Sequence, residues 1–169
     1  VGVLAHGFPR ESMVAVEIGD VRTNFRMPDL VSVGLGGGSL VRQLDDGRVT
    51  VGPDSVGYLV TQKALCFGGD TLTATDIVVA KGLASGVGDP ALVADLDPAL
   101  VDAAYAEITR IIEDAVDAMK TAAGDVTVIL VGGGSILAPD ALEGSDNVLR
   151  PENFGVANAV GSAIAQVSG

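Results

Sequence analysis

A β-type run ending in three glycines and a serine occurs twice in this chain of 169 residues. Residues 30–35 lead into Gly36, Gly37, Gly38 and Ser39, and residues 126–131 lead into Gly132, Gly133, Gly134 and Ser135. Glycine has no Cβ, so each triplet lets the backbone turn sharply or lets another group come close to it. Successive backbone N–H groups beside a serine hydroxyl also form a cradle for phosphate. Both readings, a tight turn and an anion cradle, stand for each triplet at this level. Strand-type runs that deliver two such loops, with helical patterns between them, read as a domain that mixes strands and helices.

The rest of the chain supplies those elements. Residues 1–5, 14–18 and 21–25 are short β-type runs, and Gly19-Asp20 between Ile18 and Val21 predicts a two-residue hairpin. A second hairpin is predicted from residues 40–42 and 48–51 around Asp45, Asp46 and Gly47. A short helix is expected to start near Thr75 or Asp76, because aspartate caps helix N-termini well. The clearest helix runs from about residue 98 to 121, with Asp97 as N-cap and Pro98 in the first turn. Its apolar residues Val101, Tyr105, Ile108, Ile112, Ala115 and Met119 recur at spacings of three and four, and Glu107, Arg110, Asp114 and Asp117 share the other side. Gly124 is expected to end it, followed by a buried strand over 126–131 and an alanine-rich helix over 154–167. The chain thus reads as a single domain, 1–169, with a β-rich part over 1–52, a loop and helix connection over 53–97, and a helix–strand–helix part over 98–169.

Charge removes several classes of partner. The net charge is −12 at pH 7, so the long-range field repels nucleic-acid backbones and anionic lipid surfaces. An anionic small ligand then requires local compensation from backbone N–H groups, a helix N-terminus or a divalent metal. The aliphatic run 126–131 is too short to span a bilayer. The single Cys66 cannot form an internal disulfide and no charged-then-apolar leader opens the chain, so a reducing cytoplasm is the expected setting. The opening apolar run at Val1 reads as the middle of a strand, so the chain is expected to be a piece of a longer protein.

Few side chains offer chemistry of their own. Asp76 reads either as a helix cap or as a carboxylate holding Mg²⁺ or another divalent metal, or a water that it organises. His6 is the only histidine, which leaves a serine triad or a zinc site short of partners. Cys66, among Ala64, Leu65 and Phe67, reads as a buried small hydrophobe. Arg22, Arg26 and Arg42 either balance acidic neighbours or face a ligand.

Taken in order, these motifs resemble a family. Residues 33–41, with their glycine triplet, then residues 48–55, Phe67-Gly68-Gly69 and residues 72–77 (Leu-Thr-Ala-Thr-Asp-Ile) are similar to the A-type, ATP-using subunit of the hydantoinase/oxoprolinase family. Residues 128–136 and 154–161 extend the resemblance over nearly the whole chain. The resemblance implies an α/β fold of α+β character, a mixed sheet flanked by helices, as one ribonuclease-H-like lobe of the actin, heat-shock chaperone and sugar-kinase type of ATPase. It further implies ATP and Mg²⁺ as cofactors, a cyclic amide such as a hydantoin or 5-oxoproline as substrate, and a B-type partner subunit or domain in a homo-oligomer. Gly36, Gly37, Gly38 and Ser39 would then form the second phosphate loop. Gly132, Gly133, Gly134 and Ser135 would form the adenosine-side loop, Asn158 and Gly161 would stand on the connecting helix, and Asp76 would be the nearby catalytic and metal-binding acid.

Two departures accompany the resemblance. Family members commonly carry Pro-Gly-Pro-Ala-Cys-Tyr-Gly where this chain has residues 60–68, and from that stretch Cys66 and Gly68 remain. The family's first phosphate loop is expected immediately before Val1, so the isolated chain is expected to be catalytically incompetent. A non-catalytic docking module and a small-molecule kinase of the same fold are the alternative readings.

Overall fold

The computed structural model describes residues 1–11, 16–18, 21–23, 28–121 and 123–164. It is a mixed α/β domain. The strands are β1 (Leu4–Ala5), β2 (Phe8–Pro9), β3 (Val16–Ile18), β4 (Val21–Thr23), β5 (Ser39–Gln43), β6 (Val49–Ser55), β7 (Val126–Ile129) and β8 (Ser145–Leu149). The helices are α1 (Val60–Lys63), α2 (Ala74–Ala80), α3 (Pro98–Asp117) and α4 (Ala157–Ile164). Among the described residues the strands pair two by two, β1 with β2, β3 with β4, β5 with β6, and β7 with β8.

Both expected antiparallel strand pairs form. Ile18 faces Val21 in the β3–β4 pair, with the Gly19-Asp20 turn itself outside the described residues, and Val41 faces Val51 in β5–β6. By contrast, residues 30–35 form no regular strand. Leu30 makes an isolated bridge to Gly2, and a Cβ on Gly34 would stand 2.7 Å from the Pro53 Cβ, so the chain lies against β6 there. The first glycine triplet therefore precedes a strand, with Ser39 as the first residue of β5. The second triplet does follow β7, as expected.

The core is assembled around α2. Every residue from Thr73 to Val79 is buried, and Ala74, Ile77 and Val78 are fully so. Helix α2 packs on α3, on β5 and on three single-turn 3₁₀ segments at Leu65–Phe67, Pro90–Val93 and Gly133–Leu137. Val41 and Val51 from β5–β6, Val101, Ala104 and Ile108 from α3, and Leu137 complete one cluster. Seven residues of helix cannot hold themselves together in water. Tertiary packing keeps α2 helical.

Helix α3 follows the sequence pattern closely. The Asp97 carboxylate accepts the Ala99 N–H at 2.9 Å. Val101, Ile108, Ala115 and Met119 are buried, whereas Arg110 is exposed and pairs with Glu107 and Asp114. The helix ends at Asp117 rather than near residue 121. The Met119 and Lys120 N–H groups reach back three residues, to Val116 and Asp117, so the last turn tightens before Gly124.

Strand β7 is only half-buried, with Ile129 at 45% exposure. It runs parallel to β8, which the sequence reading did not expect, since Ser145-Asp146-Asn147 carries little β propensity. The alanine-rich helix starts after a 3₁₀ turn at Phe154–Val156, three residues later than expected. Truncating Ile108 to Ala should destabilise the protein by about 2–5 kcal/mol, whereas Arg110→Ala should cost no more than about 1 kcal/mol. Urea unfolding of the two variants measures the difference.

Candidate functional site

The start of α2 is held by a buried carboxylate. Thr73 is the N-cap and Asp76 occupies the third helical position, so the two form a capping box. The helix thus starts at Ala74, one or two residues before the expected start, and Asp76 closes the cap from inside the helix. Its Oδ2 accepts the Thr73 N–H at 2.7 Å and the Thr73 hydroxyl at 2.9 Å, and its Oδ1 accepts the Cys66 N–H at 2.7 Å. Asp76 has no exposed surface. One side chain therefore ties the helix start to its own cap and to the Leu65–Phe67 turn.

Cys66 feels this neighbour. Burial pushes its thiol up to about 12, and the adjacent Asp76 carboxylate adds to the shift. A thiol so placed is a packing group, as the sequence suggested.

The first glycine triplet is bound to the same helix. The Gly37 carbonyl accepts the Thr75 N–H at 3.0 Å and the Thr75 hydroxyl at 2.9 Å. A Cβ on Gly37 would stand 2.7 Å from the Thr75 Oγ1, and one on Gly38 would meet Ser55 and Gly57 at 3.0–3.1 Å. The Ser39 hydroxyl is occupied within the loop, accepting the Gly36 N–H at 2.9 Å. In this triplet the fold itself requires glycine at two positions. Only at Gly36 would a Cβ meet open space.

The second triplet is different. A Cβ on Gly132, Gly133 or Gly134 would meet nothing within 4 Å. Gly132 has a φ of +82°, which favours glycine, but packing makes no demand on Gly133 or Gly134. The Ser135 Oγ beside them is buried and, among the described residues, is the buried side-chain oxygen without a hydrogen-bond partner. Such groups are rare because desolvation without a partner is unfavourable. The Gly132 N–H donates to the Phe154 carbonyl at 2.6 Å, so this loop stands at the root of α4. Asn158 and Gly161 lie exposed on α4.

The structure therefore brings Gly36, Gly37, Gly38 and Ser39 to the α2 start with Asp76. It brings Gly132, Gly133, Gly134 and Ser135 to the α4 root, and the Gly133–Leu137 turn also packs on α2. Arg42 pairs with Asp54 at 2.8 Å, the first of the two readings given to it, while Arg26 lies outside the described residues. His6 sits exposed with a φ of +54° in the β1–β2 turn. Sequence reasoning did not name Thr73 as the cap, although a threonine three residues before an acid is the capping-box signature.

The donor set at Asp76 does not fit a divalent cation. Its oxygens already accept three bonds, it has no exposed surface, and among the described residues no group of three His, Cys, Asp or Glu side chains is placed to hold a metal ion. The second triplet has open glycines and, beside them, a buried oxygen in want of a partner. Among the described residues no helix is long and apolar enough to cross a membrane.

Two outcomes follow from Asp76. Asp76→Ala leaves the Thr73 and Cys66 N–H groups unpaired in the core and should cost about 3 kcal/mol or more in urea unfolding, with Asp76→Asn costing less. Because the folded state keeps the Cys66 proton to higher pH than the unfolded chain, stability should be full below about pH 9 and fall as the pH rises toward 12. Unfolding midpoints across that range measure the loss, and Cys66→Ala should flatten it.

Residues 8–85 match the family model described as hydantoinase/oxoprolinase. The matched stretch takes in the first glycine triplet, Cys66 and the Thr73–Asp76 cap, and it ends before the second triplet. No curated protein and no solved structure matches the chain. Over residues 8–85, with the motifs in the order described, the chain is similar to the hydantoinase/oxoprolinase family.

Proposed function

We propose that this domain is the nucleotide-contacting part of an ATP-dependent hydrolase of cyclic amides, of the hydantoin or 5-oxoproline type, built as one ribonuclease-H-like lobe. The observation that carries the reading is the contrast between the two glycine runs. Packing explains Gly37 and Gly38, whereas it leaves Gly133 and Gly134 without a structural reason, next to an unpartnered Ser135 hydroxyl. Glycines that the fold does not need are glycines that a ligand can need.

In this reading Gly132, Gly133, Gly134 and Ser135 would hold ATP, with Asn158 on the adjoining helix. Bound ATP supplies the phosphoryl group that activates an amide carbonyl oxygen, which an amide lacks by itself. Positioning and neutral backbone donors carry such chemistry, so a nucleophilic triad is not needed. Gly36, Gly37, Gly38 and Ser39 enter as a rigid loop fixed on α2. Asp76 enters as a positioning residue that sets the start of that helix, and no step is routed through a metal ion there. A cytoplasmic setting goes with an ATP-using enzyme that keeps one buried thiol.

A docking role has support of its own. Ile129 and Leu149 on β7–β8 are each 45% exposed, with Val131 just beyond β7 at 54%, and parallel strands are ordinarily covered on both faces. The occupant this reading names is a B-type partner subunit or domain, or a second copy of the chain. Light scattering that shows a strict monomer, with no association on adding the B-type subunit, would count against it.

A Cβ at Gly133 or Gly134 meets open space, so the double variant Gly133→Val, Gly134→Val should fold like the parent. Isothermal titration with Mg-ATP should show binding to the parent and binding at least about tenfold weaker to the variant, at an unchanged thermal midpoint. Equal affinity in the two proteins would sink the nucleotide role of this run.

A further inference from the structure

A cleft of about 250 Å³ opens at the C-terminal end of α2, where the Pro90–Val93 turn and the start of α3 meet it. Its wall is apolar, formed by Val93, Leu96, Pro98 and Val101, and its charged lining residues are one cation, Lys81, and one anion, Asp102. None of its lining residues belongs to either glycine run. Its volume lies below the range of drug-sized sites and is too small for a nucleotide.

The two charges are unequally held. The Lys81 side chain is 27% exposed, its ammonium lies 5.3 Å from the centre of the Tyr105 ring, and it donates to the Asp102 Oδ1 at 2.6 Å. The Asp102 side chain is 71% exposed. An ion pair with so exposed a partner contributes little, so Asp102 can swing away at small cost while the ring keeps the Lys81 ammonium in place. A ligand able to engage both groups exchanges one weak ion pair for two.

We infer that this cleft binds a small zwitterion with an apolar side chain, an aliphatic α-amino acid. Its carboxylate pairs with Lys81, its ammonium with Asp102, and its side chain lies on Val93, Leu96, Pro98 and Val101. Overall charge favours this class over its relatives. A simple carboxylate is opposed by the net charge of −12 and by Asp102. A simple amine meets Lys81 with no partner for that cation. A neutral zwitterion is exempt from the long-range field and satisfies both ends of the cleft.

The test is a ¹⁵N-labelled NMR titration with L-leucine, 3-methylbutanoate and 3-methylbutylamine in parallel. L-Leucine should give saturable shifts at the Val93, Leu96 and Val101 amides, and each singly charged analogue should bind about fivefold more weakly. Lys81→Met keeps most of the apolar stem and should lose the preference for L-leucine over the amine. Asp102→Asn, at an exposed position, should lose the preference over the carboxylate and decides the matter if the Lys81 variant folds poorly. No saturable shift at these amides, equal binding of all three compounds, or preferences unchanged in Asp102→Asn would overturn the assignment. The glycine-run variants should titrate with L-leucine as the parent does, which separates this site from the nucleotide reading.

Discussion

A carboxylate with no contact to water holds the centre of this domain. Burying a charge is strongly unfavourable unless its oxygens are fully engaged, and at Asp76 they accept two backbone N–H groups and one hydroxyl. Those bonds fix two things together. They set where α2 begins, and they tie that start to the turn carrying Cys66. With α2 placed, its buried residues Ile77, Val78 and Val79 become the surface on which α3, β5 and the 3₁₀ segments assemble. A helix of seven residues cannot serve as a scaffold by propensity alone. It serves here because its N-terminus is locked and its other sides are packed.

The same constraint separates the two glycine runs. The first run is fastened through Gly37 to Thr75, one residue before Asp76, so its lack of side chains is consumed by close packing. The second lies at the root of α4, runs into the Gly133–Leu137 turn that packs on α2, and keeps its glycines open. Identical sequence, Gly-Gly-Gly-Ser, thus does different physical work at two places. In one serine the hydroxyl is satisfied within its loop, and in the other it is buried without a partner. An anion-binding loop needs open backbone and unspent donors, and only the second run combines open glycines with an unspent hydroxyl.

Much of this was legible in the sequence wherever the signal was local. The spacing of Val101, Ile108, Ala115 and Met119 gives the buried face of α3, Asp97 gives its cap, and Asp45-Asp46-Gly47 gives the β5–β6 turn. The family resemblance was likewise legible in the order of short motifs, and residues 8–85 carry it. What escaped was set by tertiary contact. Residues 30–35 look like a strand but form none, with Gly34 lying against Pro53, and Ser145–Leu149 looks polar but pairs with β7. The difference between the glycine runs depends on what stands next to each Cβ position, which lies far away along the chain. Asp76 shows both sides: its residue type signalled a helix start, but its bond to the Cys66 N–H spans ten residues and no local pattern contains it.

The most direct measurement is amide hydrogen exchange, residue by residue, with and without Mg-ATP. The account predicts that the Thr73, Thr75 and Cys66 amides are strongly protected in both conditions, because they close the buried cap and its two tethers. It also predicts that Gly133 and Gly134 exchange rapidly alone and slow down when nucleotide is present. Rapid exchange at Thr73 and Cys66, or nucleotide-dependent protection at Gly37 and Gly38 with none at Gly133 and Gly134, would contradict it.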